Sequence, residues 1–148
     1  RMSELQGAIG KVQLKKLNSL LIDNKRKYLI IKNKIKNFEH RWITKHGKSN
    51  FDNFIFFIKN NYEKKKVLKV LKKYKIGTKN LPDAIKWHCA FYWKHVFNKK
   101  EIKNFSKTKK ILDKAIAVPI LYKKSVSFYK KLSLDINKIL WNLMTLYL

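Results

Sequence analysis

Apolar residues recur at helical spacing along the first quarter of the chain: Leu5, Ile9, Val12, Leu17, Leu21, Tyr28, Ile31, Ile35 and Phe38. Ser3 followed by Gln6 fits a capping box, in which the serine oxygen accepts from an amide of the first turn and Gln6 reaches back. The pattern predicts one long helix over about residues 4 to 37, longer than a globular average and suited to bridging two bodies. His46-Gly47-Lys48-Ser49-Asn50 then reads as a turn. Phe51 to Ile58 is short and dense in Phe and Ile, the signature of a buried strand. Tyr62 to Tyr74 sets Val67, Val70, Leu71 and Tyr74 on one face against lysines on the other, an amphipathic helix ending near Gly77.

Ile76 to Thr78 starts a second strand in this reading, and Pro82 after Leu81 opens a new element before the aromatic run Trp87 to Phe97. Ser106 is placed as the cap of a helix over about 107 to 116, with Ile111, Leu112, Ala115 and Ile116 facing inwards. Pro119 stops that helix, and Ala117 to Leu121 follows as an edge strand that tolerates a missing amide. Ser133 is placed as the cap of a last helix burying Ile136, Ile139, Leu140, Leu143 and Tyr147. The expected order is long helix, strand, helix, strand, helical loop, helix, strand, helix. That is an α+β arrangement of helices on a small sheet. Residues 1–38 form the long helix and residues 39–148 a small α+β domain.

Composition sharpens this picture. A chain of 148 residues with 45% hydrophobic and 14% aromatic content is too apolar for disorder and suits one core. The longest uncharged run, Ile139 to Leu148, falls well short of the ~20 apolar residues that span a bilayer. The amphipathic opening lacks the basic and apolar regions of a signal peptide, so no membrane association is expected. Cys89 is the single cysteine, which excludes an internal disulfide and a cysteine zinc site, and a reducing, cytoplasmic setting follows naturally.

The formal net charge of +27 invites comparison with nucleic-acid-binding proteins. Yet only Arg1, Arg26 and Arg41 among the 36 basic residues are arginines, the residue suited to bidentate phosphate and base contacts. The lysines spread almost evenly, and Lys, Asn, Ile, Phe and Tyr are enriched together, as a genome rich in A and T would produce. A solvated lysine surface is the expectation; a small basic helical nucleic-acid-binding protein remains the rival, and a non-catalytic dimerisation remnant the third reading.

Three segments carry a family resemblance. The opening Arg1-Met2-Ser3-Glu4-Leu5-Gln6-Gly7-Ala8-Ile9-Gly10 resembles the R-M-[ST]-E-[LI]-Q-A-A-[IL]-G signature of the DegT/DnrJ/EryC1/StrS sugar aminotransferases, with Gly7 in place of the usual alanine. Asn80-Leu81-Pro82-Asp83-Ala84, then Trp87-His88, Ala90, Trp93 and His95, looks like the substrate loop of a subgroup acting on keto-deoxy-octulosonate (Kdo) type sugars. Phe105-Ser106-Lys107-Thr108 with Ile111-Leu112 and Ala115-Ile116-Ala117-Val118-Pro119-Ile120 is similar to the stretch before the family's last helix, with Ser106 where a proline is usual.

The resemblance implies the C-terminal part of a fold-type I enzyme dependent on pyridoxal 5'-phosphate (PLP), with the large PLP-binding domain upstream. It implies a homodimer, contacted through the first helix. The reaction would pass an amino group, typically from glutamate, to a keto-sugar or nucleotide-sugar for cell-surface polysaccharide or lipopolysaccharide synthesis. No catalytic or cofactor-binding residue is assigned within this chain, because the Schiff-base lysine and its acidic partner belong to the large domain. By itself the chain should transaminate nothing.

The residues implied for substrate binding are Arg1, Trp87, His88 and His95. Arg1 is suited to pairing with anions, or equally to an interface ion pair. His88 would donate to a sugar or carboxylate oxygen while Trp87 or Trp93 packs on an apolar ring face; plain packing within a loop core is the competing reading. His88 and His95 are seven apart and would share a helix face, but two histidines without a third ligand make no metal site. His40 and His46 read as surface residues, and Cys89 as a small buried side chain.

Overall fold

A computed structural model of the protein describes residues 3–77 and 87–144. Helix α1 spans Glu4–Lys34, and its start is the expected capping box: Ser3 Oγ accepts from the Gln6 amide at 3.3 Å while Gln6 Oε1 accepts from the Ser3 amide at 2.9 Å. It stops three residues before the predicted end, where Ile35 takes the cap position and Nε2 of His40 donates to the Ile35 carbonyl at 2.8 Å. His40 is therefore no free surface residue: it is half-buried, its ring 5.1 Å from that of Phe54. His46 is exposed, as expected.

Strand β1, Asn53–Phe57, pairs antiparallel with β2, Ala115–Pro119, in the register Phe54 to Val118 and Phe56 to Ile116. Ladder bonds extend the pair at both ends, from Ile58 to the Lys114 carbonyl and from Ile120 to that of Asp52. Residues 39–41 add a further rung along the free edge of β1, through Phe57 to Glu39 and Arg41 to Ile55, both at 2.9 Å. The alternation of β1 buries Phe54 and Phe56 on one face, whereas every residue of β2 is buried.

Helix α2, Asn61–Lys73, buries Val67, Val70 and Leu71, three of the four side chains placed on its inner face. Its end differs from the expectation of a glycine cap. Lys75 adopts φ 53°, its amide donates to Lys72, and the next amide, Ile76, reaches back to Leu71 at 3.1 Å. This is a Schellman closure with lysine where glycine is usual, and Gly77 has no positive φ. Ile76 then buries itself beside Leu71 in the core rather than starting a strand. Residues 76–77 are not strand, and Thr78 lies outside the described residues.

Two short helices follow the aromatic run: α3, Lys99–Asn104, and α4, Ser106–Lys114. Asn98 caps α3 with a complete capping box to Glu101, an element read from sequence only as helical loop. Ser106 is not a cap; Phe105 holds that position without a side-chain bond. Ile111 is 55% exposed rather than inward-facing, and Ala115 and Ile116 belong to β2, because the helix ends at Lys114, two residues before the expected end and five before Pro119. The last helix, α5, covers Val126–Met144 and begins seven residues before Ser133. Ser125 Oγ accepts from the Phe128 amide at its start, and Ser133 instead sits mid-helix, donating to the Tyr129 carbonyl at 2.8 Å. Leu81, Pro82 and Tyr147 lie outside the described residues, as does the side chain of Leu143.

The architecture is α+β. One core unites the last third of α1 (Tyr28, Ile31), the sheet (Phe54, Phe56, Ile116, Val118), α2 (Val67, Leu71) and α5 (Tyr129, Leu132, Ile136, Leu140). Two polar ties cross it. Lys27 of α1, 2% exposed, donates to the Asp23 carboxylate and to the carbonyls of Leu121 at 3.4 Å and Tyr122 at 3.3 Å. The Tyr129 hydroxyl accepts from the Leu121 amide at 2.7 Å and donates to the Pro119 carbonyl at 3.0 Å. No helix among the described residues is long and apolar enough to cross a membrane.

The left-handed conformation at Lys75 is unfavourable for a residue with a Cβ, so Lys75→Gly is expected to raise stability by about 0.5 kcal/mol, read from chemical denaturation. A second expectation concerns Tyr74, whose hydroxyl donates to Asp135 Oδ2 at 2.7 Å. Burial, then this bond to a carboxylate, push the phenol up to about 12. Because the folded value lies above the unfolded one of about 10, the stabilisation is complete below that pH and is lost as pH rises towards the folded value. Tyr74→Phe should therefore cost about 1 kcal/mol at neutral pH. The gap to the parent protein should close in denaturation curves taken at strongly alkaline pH.

Candidate functional site

The aromatic run folds back on itself. Residues 87–88 are helical, Cys89 is buried as expected, and Ala90–Tyr92 makes one turn of 3-10 helix. The Trp93 indole N–H donates to the Trp87 carbonyl at 3.2 Å, and its ring lies parallel to that of Phe97, 6.4 Å between centroids. Phe97 packs in turn on Phe105 at 5.1 Å, between α3 and α4. From the other side, the Lys109 ammonium of α4 lies over the rings of Phe91, at 5.6 Å, and Tyr92. Trp93 is thereby absorbed into the scaffold, half-buried, whereas Trp87, the other tryptophan considered for a ligand face, is 77% exposed.

His88 is exposed beside it and makes no hydrogen bond among the described residues. His95 is also exposed, in the turn at 94–96. The two histidines do not share a helix face: the helical residues end at His88, Cys89 is extended, and the 3-10 turn follows before His95. Trp87 and His88 are thus adjacent on one rim and His95 is on a separate turn. Arg1 lies outside the described residues. Among the described residues no group of three or more His, Cys, Asp or Glu is placed to hold a metal ion.

Sequence reasoning missed a second feature, an open cavity of about 920 Å³ between the start of α2 and α4. Its lining includes Asn60, Lys64, Tyr92, Lys109 and Asp113. Lys64 is 8% exposed and donates to the backbone carbonyl of Asp113. Burial, helped by the neighbouring Lys109, depresses its ammonium below the usual lysine range, with Asp113 opposing. Lys109 is tied to the Asp113 carboxylate, which raises it. The signal for Lys64 was present in the sequence: it stands three and seven residues before Val67 and Leu71, on the apolar face of α2.

The third feature is the outer two thirds of α1. Leu5 (70%), Ile9, Val12 and Leu14 are exposed, and Gly7, Gly10, Leu14, Leu17 and Leu20 line a shallow apolar groove along it. A Cβ at Gly10 would meet nothing within 4 Å.

The family model for the DegT/DnrJ/EryC1/StrS aminotransferase family matches residues 1–126, from before α1 to the first turn of α5. No curated protein matches the chain.

Proposed function

The chain belongs to the DegT/DnrJ/EryC1/StrS aminotransferase family, and we propose that it forms the C-terminal portion of a PLP-dependent enzyme that aminates a keto-sugar. In this reading α1 links and braces a larger body, residues 39–148 are the small domain, and the rim at Trp87 and His88 is a piece of substrate wall. The finer assignments belong to the same proposal: a Kdo-type or nucleotide-linked sugar, glutamate as donor, a role in lipopolysaccharide or cell-surface polysaccharide synthesis, a homodimer, and a cytoplasmic setting.

The observation that carries the proposal is the pairing of a family match over residues 1–126 with exposed Trp87 and His88, next to the packed Trp93, Phe97 and Phe105 rings. An exposed indole and an exposed imidazole on neighbouring residues suit a sugar: the indole packs against the ring C–H groups, and the imidazole exchanges hydrogen bonds with a hydroxyl or carboxylate. His95 and Arg1 complete the proposed set, Arg1 as a guanidinium for substrate or cofactor anions. Exposure of Leu5, Ile9, Val12 and Leu14 on α1 supports a partner surface there, since a helix of 31 residues extends about 46 Å and only its last part is buried in this core.

PLP needs an amine for its aldehyde, a carboxylate facing the ring nitrogen and a cradle for the phosphate. The described residues do not assemble that set. Asp113 is held by Lys109 and Asp135 accepts from Tyr74, so neither carboxylate beside a cavity is free for a pyridinium nitrogen. The cofactor is accordingly assigned to the large body, and no step through it is derived from this chain.

Reading the DNA upstream of the Arg1 codon tests the proposal most directly. An open frame that encodes an asparagine just before Arg1 and a Schiff-base lysine further upstream is expected; an in-frame stop followed by a start codon at this point would refute it. In the complete enzyme, His88→Ala is expected to lower kcat/KM for the sugar about 10- to 100-fold, the loss of one or two good hydrogen bonds, while the cofactor absorbance is unchanged. Loss of bound PLP in that variant would remove His88 from the substrate wall.

A further inference from the structure

The cavity between α2 and α4 has a charge pattern that its own protein groups leave unbalanced. Six of its twelve lining residues are lysines (Lys59, Lys64, Lys65, Lys109, Lys110 and Lys114), a density about twice that of the chain as a whole. Asp113 is the one carboxylate in the lining, and Lys109 engages it. Glu63 stands nearby, at the start of α2, but its two carboxylate oxygens are turned to the Lys59 amide at 2.9 Å and the Asn60 side-chain amide at 3.3 Å.

Lys64 is the decisive residue. The protein buries two lysines among the described residues, and they are treated differently. Lys27 has a carboxylate and two carbonyls around its ammonium, one acceptor for each N–H. Lys64, almost equally buried, has the Asp113 carbonyl alone, so two of its three N–H groups have no acceptor among the described residues. The one nearby counter-charge, the Asp113 carboxylate, is engaged by Lys109, and a buried ammonium with so little compensation is unfavourable unless more is supplied. Asn61, which lines the same cavity, occupies the first position of α2, and its amide makes no hydrogen bond among the described residues. The 13-residue helix therefore directs the positive end of its dipole to the same place. Tyr92 walls the far side and keeps Lys109 oriented.

We propose that this cavity is a binding site for a phosphate-type oxyanion of two or more charges, with Lys64 as its innermost ligand and Lys65, Lys109 and Lys110 around it. Inorganic pyrophosphate matches the charge and is easily admitted by the volume, and a phosphoryl group on a larger molecule would be met by the same donors. The site stands apart from the amination reading: it uses no residue of the Trp87 and His88 rim, so either can fail without the other.

The test is calorimetric titration of inorganic pyrophosphate into the purified protein at about physiological ionic strength, where diffuse attraction to a highly charged surface is screened. One saturable site per chain is expected. Lys64→Met should weaken it about tenfold or more, as expected for a lost hydrogen bond between charged groups. Because Lys64→Met removes a buried group, its folding is checked by circular dichroism. If it does not fold, the exposed pair Lys65→Gln with Lys110→Gln decides, with an expected weakening of about fivefold. The control, Lys15→Gln with Lys131→Gln, removes equal charge elsewhere and should change affinity less than about twofold. Absence of saturable binding, or equal weakening in the control pair, would overturn the proposal.

Discussion

The corner between β2 and α5 is where the fold is decided. There the chain turns out of a strand whose five residues are all buried and must immediately enter a helix packed over the same core. Past Ile120 the backbone has no ladder partner, and although Leu121 and Tyr122 expose their side chains, each amide or carbonyl turned inwards and left unsatisfied costs about 1–3 kcal/mol. Two long side chains meet that demand from opposite directions. Tyr129 reaches back from α5 to take the Leu121 amide and hold the Pro119 carbonyl, while Lys27 descends from α1 to the carbonyls of Leu121 and Tyr122. Burying the Lys27 ammonium carries its own desolvation cost, offset by Asp23 one turn earlier and by the two carbonyls. The result couples residues nearly a hundred positions apart, and it fixes α1 to the domain at a single depth.

Much of the rest follows from that depth. A two-stranded sheet is marginal alone, so β1 and β2 persist only because helices cover them. The end of α1 supplies one cover: Tyr28 packs edge-on against Phe51 and Phe54, both at 5.2 Å, and Ile31 and Ile35 are wholly buried. Since Lys27 sets where α1 enters, everything before it is carried outwards, with Leu5, Ile9, Val12 and Leu14 in the open. The exposed stripe is thus a geometric consequence of the anchored end, and it retains the apolar spacing of a helix meant to be covered.

Where sequence and structure part, the cause is usually a side chain that satisfies backbone at a distance. The long helix, β1 and α2 were legible because apolar periodicity and, for the long helix, the Ser3 and Gln6 cap act within a few residues; the Asn60 cap of α2, accepting from the Glu63 amide, was not read. Ser133 looked like a cap because serine before an apolar run usually is one; the helix instead starts at Val126 behind Ser125, so the Ser133 hydroxyl returns to the Tyr129 carbonyl one turn back. Ile111 and Ile116 looked like one helix face, yet pairing of Ala115 and Ile116 with β1 pulls the chain into a strand first. The rim was partly legible. Trp87 and His88 are exposed, but nothing local revealed that Trp93 would be spent on the Trp87 carbonyl and the Phe97 ring, or that His95 would lie on a separate turn.

The lysines show the limit of compositional reasoning most clearly. Spread evenly and outnumbering arginine, they argue for a solvated surface, and for most of them the structure agrees. Lys27 and Lys64 break the rule by the same pattern, each standing on the apolar face of its helix, before Ile31 and Val67 respectively. A lysine on such a stripe is either snorkelling, tied to internal acceptors, or placed for a charge from outside. Lys27 resolves as the second, because its three N–H groups meet three acceptors. Lys64 differs: it opens at 8% exposure onto a cavity, one carbonyl is its only hydrogen-bond acceptor among the described residues, and the nearby Asp113 carboxylate is engaged by Lys109. Counting acceptors around a buried cation therefore separates a structural tie from a ligand-directed one, a distinction that charge totals and periodicity both erase.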